Sequence, residues 1–178
     1  MEEAEIPTEH LQEEIEHHAH SDAQRWIMGV ALTSALLAVL AAVSSLLSGH
    51  HANEAMIEQM KASDAWSYYQ AKGIKAAVLG SKIDFRRALK QPVEPKDEEK
   101  LAGYEKEQLK ISGEAKEMAA SSRKHLETHQ VFARAVTLFQ VAIGIAAIAA
   151  LTRKRRFWFV SMVFGAFGLV FLIQGFLK

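Results

Sequence analysis

The chain has 178 residues, a formal net charge of zero and 49% hydrophobic residues, averages that would suit a soluble domain. It contains no cysteine, which excludes disulfides and thiol chemistry. It also shows no phosphate-binding loop, strong metal signature or pairing of nucleophile with base, so we predict a protein that is not an enzyme and uses no cofactor.

Residues 1–25 form an acidic segment that contains four of the eight histidines. Its only base is Arg25, whereas a cleavable signal peptide needs a basic start followed by an apolar core. The side chains of His10, His17, His18 and His20 are competent metal ligands, but a solvated acidic helix that begins near Thr8 is the favoured interpretation.

Three apolar stretches without ionisable residues follow, at residues 26–49, 135–152 and 157–177. Each has about the 17–25 residues that a helix needs to cross a bilayer. The sequence therefore predicts an all-α integral membrane protein with three transmembrane helices. Small residues recur at every fourth position within them, which lets helices approach closely in lipid; these rows are Ser34, Ala38 and Ala42; Ala142, Ala146 and Ala150; and Ser161 and Gly165.

The short connection at residues 153–156 carries four bases and is expected to stay in the cytoplasm. The amino terminus would then be cytoplasmic, and residues 50–134 would lie on the opposite side of the membrane. Full inversion is the competing topology.

Residues 50–134 are rich in strong helix formers, and prolines at 92 and 95 interrupt them once. We expect a long antiparallel helical hairpin, similar to a coiled coil, with its turn at residues 91–95. Folding at the prolines would set Ala62 opposite His125, Tyr69 opposite Met118, and His129 near Glu58. The seam is built largely from small residues and buries little apolar area, which favours a homo-oligomer or an unidentified protein partner.

Two stretches carry a family resemblance: Ser-Gly-His-His-Ala-Asn-Glu-Ala at 48–55 and Ala-Ser-Asp-Ala-Trp-Ser-Tyr-Tyr-Gln-Ala-Lys-Gly-Ile-Lys at 62–75. Together with the two closing apolar stretches, they resemble the bacterial membrane family known as domain of unknown function 4337. The resemblance implies a multi-pass protein of the bacterial inner membrane, and it implies no activity.

Two groups of residues are candidate sites. Imidazoles and carboxylates near the apolar stretches could bind a metal or sense protons, although partly solvated polar residues are the favoured interpretation; they are His50, His51, Glu54, Glu58, His125 and His129. The second group is an interaction surface formed by Trp66, Tyr68, Tyr69, Gln70 and Gly73. Within it, Trp66 and Tyr69 fit the seam as packing residues, and Tyr68 and Gln70 fit an outer or oligomeric face.

The leading hypothesis is a membrane-anchored structural, interaction or assembly module that contacts the bilayer and its own copies and binds no nucleic acid. The alternative is an oligomeric channel or transport subunit, with a pore lined by small and polar transmembrane residues. The absence of charge from the apolar stretches argues against ion-coupled transport.

Overall fold

In the computed structural model, the backbone is described from Thr8 and the side chains from Arg25 onward, to Lys178. This part of the chain forms three helices and no strand: α1 is Thr8–Ala88, α2 is Pro95–Thr152 and α3 is Arg155–Phe176. The predicted all-α class is confirmed. All three helices are long and apolar enough to cross a membrane. The proposed ligands His10, His17, His18 and His20 lie outside the residues whose side chains are described.

The positions of the prolines explain the unusual length of α1. The only prolines are Pro7, Pro92 and Pro95, so nothing between residues 8 and 88 removes a helical backbone donor. After Ala88 the chain turns at Lys90, whose φ of 54° is the left-handed conformation common after helix ends. The amide of Gln91 donates to the carbonyl of Arg86 across this turn. Pro95 begins α2, where a missing amide hydrogen costs nothing.

The chain divides into two compact units. One comprises Met1–Leu47 with Val131–Lys178 and is called the apolar unit; the other, Ser48–Gln130, is called the polar unit.

The core of the apolar unit consists of aromatic rings packed against glycines. Phe132 and Phe139 are almost fully buried and belong to a cluster with Ala41, Ala135 and Leu172. A Cβ atom added to Gly168 would lie 2.7 Å from the Phe139 ring, and one added to Gly175 would lie 2.5 Å from the Phe132 ring. The absence of side chains at these glycines therefore makes room for the rings.

The rows of small residues have different surroundings within the apolar unit. Ala142 and Ala146 are fully buried, and the buried hydroxyl of Ser161 donates a 2.7 Å hydrogen bond to the carbonyl of Ala142. Ala38 and Ala42, in contrast, are exposed. Close packing therefore uses the rows on α2 and α3, whereas Ala38 and Ala42 of the row on α1 face outward and Ser34 is half-buried.

Within the polar unit, α1 and α2 contact each other along their length. The hydroxyl of Ser122 donates to the carbonyl of Ala55 at 2.8 Å, and the amide of Gln108 donates to the carbonyl of Tyr69 at 3.3 Å. Nearer the turn, Lys82 forms a 2.7 Å ion pair with Asp97. As the residue number rises along α1, the residue number of its partner on α2 falls. These two segments therefore run in opposite directions.

The register predicted from the prolines is wrong. His125 lies beside His51, about three helical turns before the expected partner Ala62. The cause is the connection at residues 89–94, which runs back along the end of α1. Arg86 donates to the carbonyl of Pro92 at 3.3 Å and forms a 3.1 Å ion pair with Glu94. As a result, α2 begins beside the turn of α1 that contains Lys82.

Candidate functional site

A cluster of histidines lies where the polar unit begins and ends in sequence. The Nδ1 atoms of His51 and His125 are 3.1 Å apart, and their ring centroids are 5.4 Å apart. The ring of His50 lies 5.4 Å from that of His51, edge to face. Since α1 contributes His50 and His51 and α2 contributes His125, the antiparallel contact brings together residues that are far apart in sequence.

His129 is held separately by Ser48. Its Nδ1 atom lies 2.9 Å from the Ser48 carbonyl, which can only accept, so Nδ1 carries the proton. The hydroxyl of Ser48 lies 2.9 Å from the same nitrogen and donates to the His129 carbonyl at 3.3 Å. This arrangement fixes both the orientation and the tautomer of the His129 ring.

The His51–His125 contact requires one proton between two nitrogens. When the Nδ1 of one neutral ring donates and that of the other accepts, the contact is a hydrogen bond. When both rings are imidazolium ions, two positively charged donors face each other. Burial lowers the pKa of His51, and positive charge on His125, His50 and His129 lowers it further, while Glu54 opposes the shift. The packed arrangement thus favours the neutral imidazole.

The candidate metal ligands do not converge on one centre. His51 and His125 are together, His129 bonds to Ser48, and Glu58 forms a 2.9 Å ion pair with Lys61 instead of lying near His129. Among the residues with described side chains, no group of three His, Cys, Asp or Glu residues is arranged to hold a metal ion. The geometry that does exist is a proton-sharing pair.

The aromatic group lies farther along the same two helices. The Trp66 and Tyr69 rings meet edge to face with centroids 5.5 Å apart, as expected for packing partners. Tyr68 and Gln70 are exposed. A Cβ atom on Gly73 would lie 2.7 Å from Nε2 of Gln108, so this glycine is a point of close approach within the chain.

Lys72 links the aromatic residues of the two helices. Its ammonium lies 5.3 Å from the ring centroid of Tyr68 and 5.2 Å from that of Tyr104, and it forms an ion pair with Glu107. Hydrogen bonds to Glu107 and Tyr68 raise the pKa of Lys72. This contact was not predicted from the sequence. The four-residue spacing of Tyr68 and Lys72, which places both on one helix face, is the feature that could have indicated it.

These features define a class: an all-helical protein with three helices that could cross a membrane and a polar unit joined by histidine and aromatic contacts. The chain belongs to the family described as Domain of unknown function (DUF4337), whose model matches residues 26–178. The resemblance inferred from the sequence is confirmed. No curated protein and no solved structure matches the chain.

Proposed function

We propose that the protein is a membrane-anchored assembly module of the bacterial inner membrane, in which the polar unit forms a helical hairpin that binds a second copy of the chain. The observation that carries this proposal is an unpartnered apolar face on α1. Its large residues are Ile57, Met60, Ile74, Val78 and Phe85, and the last three are each 66% exposed.

This α1 outer face lies opposite the face that packs on α2. The buried residues Ala55, Ala76 and Ile83 each precede an outer residue by two positions, which corresponds to about 200° around a helix. The outer residues follow an alternation of three and four positions when Asp64, Ser67, Ala71 and Ser81 are included, which is the spacing of a coiled-coil seam. A solvated helix has no need of such a seam, so the face is suited to another helix.

A second copy of the chain is the simplest partner for the α1 outer face, because it supplies an identical apolar face of matching length. Copies inserted in one bilayer with the same orientation are related by an axis across the membrane, so their α1 helices run parallel. Equivalent positions of the outer face then meet, and Ile74 and Val78 would pack against their own counterparts.

Features of the apolar unit support self-association as well. The small residues Ala38 and Ala42 are exposed and permit close approach of another helix in lipid. Gln140 is exposed within the second apolar stretch, where an amide facing hydrocarbon would lack a hydrogen-bond partner. An interface between copies would cover both features.

Cysteine crosslinking tests the assembly directly, because the chain has no native cysteine. With mild oxidant in native membranes, Ile74→Cys should form disulfide-linked dimers. Lys75→Cys is the matched control: its side chain points about 100° away on the same turn, so it should form no disulfide-linked dimer. Equal crosslinking of both variants, or a monomeric mass for the wild type at micromolar concentration in nanodiscs, would exclude the proposed interface.

We also propose that the amino terminus is cytoplasmic and the polar unit periplasmic, because of the bases at residues 153–156. A Pro92→Cys variant should react with an impermeant thiol reagent in intact spheroplasts. Labelling that requires lysis would establish the inverted orientation.

A pore is the second candidate, favoured by the exposed amides of Gln140 and Gln174 in the second and third apolar stretches. Two polar groups of the first apolar stretch are bonded within the chain: Ser44 donates to the carbonyl of Leu40, and Thr33 accepts a 3.1 Å hydrogen bond from Trp158. Selective flux in proteoliposomes at low protein density, abolished by Gln140→Leu, would favour the pore over the assembly role.

A further inference from the structure

A groove of about 500 Å³ lies on the polar unit, away from the α1 outer face. Trp66 forms the part contributed by α1, and the remaining lining comes from α2: Lys116, Ala119, Ala120, Arg123, Lys124 and Glu127. Its volume lies within the range of small-molecule sites.

The spacing of the α2 residues creates this shape. Lys116 and Arg123 are seven residues apart, so they lie on one face about 10 Å from each other along the helix. Ala119 and Ala120 stand between them and leave the floor open because their side chains are small. The edge-to-face contact with Tyr69 supports the indole ring of Trp66.

The charge of the groove is positive. Three cations and one carboxylate line it, and among the described side chains Lys116, Arg123 and Lys124 take part in no ion pair. An anionic ligand would offset the repulsion between the three groove cations.

We propose that this groove is a binding site for an organic anion that carries a ring and at least one phosphate or carboxylate group. The indole face of Trp66 packs against the ring of the ligand. The planar guanidinium of Arg123 binds the acidic group with two parallel hydrogen bonds, and Lys116 supplies a second positive charge. The acidic groups lie between Lys116 and Arg123, which are seven residues apart on one face of α2.

Binding of pyrene-1,3,6,8-tetrasulfonate, a ring-bearing polyanion, tests the site. The full chain is held in phosphatidylcholine nanodiscs, and fluorescence anisotropy of the probe is measured. We expect saturable binding that weakens with rising salt, because screening reduces the attraction between charges. Arg123→Ala should weaken binding about tenfold or more, as expected for loss of a hydrogen bond to a charged group. Trp66→Ala should weaken it by about threefold to tenfold, because the ring contact is lost.

Lys106→Ala is the matched control, since it removes an exposed cation of α2 outside the groove. It should bind the probe like the wild type, and circular dichroism should show equal helix content in all variants. Equal weakening by Lys106→Ala, or unchanged binding by both groove variants, would overturn the proposal.

The natural anion could be soluble or a lipid headgroup, and a second set of nanodiscs separates these sources. Phosphatidylinositol, whose headgroup carries both a ring and a phosphate, would identify a lipid headgroup as the ligand if it displaces the probe from the wild type, and retention of the probe would identify a soluble anion. The crosslinking of Ile74→Cys does not depend on this groove, so failure of one proposal leaves the other standing.

Discussion

Gly168→Ala should destabilise the apolar unit through a single contact. The added methyl carbon would lie 2.7 Å from Cε1 and 2.8 Å from Cδ1 of Phe139. Carbon atoms in favourable contact are about 3.5–4.0 Å apart, so the ring would have to retreat by roughly 1 Å. Phe139 is fully buried, and its cluster partners Ala135 and Leu172 leave it little space to move.

The expected cost is about 1–3 kcal/mol, the range for adding a methyl group to a well-packed core. Gly144→Ala provides the matched control, because no atom lies within 4 Å of its added methyl group. That change should be neutral or stabilising by up to about 1 kcal/mol, since alanine is the better helix former. Both variants gain the helix propensity of alanine, so the clash at Gly168 is measured by the difference between them, about 1–3 kcal/mol.

Unfolding by sodium dodecyl sulfate in mixed micelles, followed by circular dichroism, measures both free energies. Phe139→Leu combined with Gly168→Ala should cost less than the sum of the single changes, with a coupling of about 1 kcal/mol, because the smaller side chain releases the clash. A Gly168→Ala protein within about 0.5 kcal/mol of the Gly144→Ala protein, or strict additivity in the double variant, would refute the clash of the added methyl group with Phe139.

Two further predictions concern the polar unit. Because the folded pKa of His51 is lowered, its stabilising contribution should be complete above its ordinary pKa of about 6.5 and be lost as pH falls through the folded value. His51→Gln with His125→Gln should therefore flatten the decline in thermal stability between pH 7.5 and 5, and a wild-type slope in that variant would contradict the proton-sharing pair. For the register, Ala55→Cys with Ser122→Cys should form an intramolecular disulfide on oxidation, as judged by gel mobility, because Ser122 bonds directly to the Ala55 carbonyl. Ala62→Cys with His125→Cys should not, and the reverse result would restore the register predicted from the prolines.

The sequence determined which parts of the chain are helical. Helix formation depends on local properties of the chain. Strong helix formers without interruption predict the helices, and the prolines at 7, 92 and 95 predict where helices begin and end. The apolar stretches were equally visible, because length and lack of charge alone qualify a helix to cross a membrane. Family membership followed from short stretches of residues around Ser48 and Trp66.

The candidate sites were only partly accessible from the sequence. The histidines and aromatic residues of these sites were identified by type, but the edge-to-face contact of Trp66 with Tyr69 was not predicted. The contact of Lys72 with both Tyr68 and Tyr104 could not be derived, since it joins two helices whose relative position the sequence leaves open.

Tertiary structure decided the register and therefore which residues meet. The connection at residues 89–94 could continue away from α1 or return along it, and the bonds from Arg86 to Pro92 and Glu94 accompany the return. This path moves His125 from Ala62 to His51 and creates the histidine pair. Spacings of three and four residues describe a helix face but do not name its partner, so only packing in three dimensions decides which residues of α2 meet the buried face at Ala55.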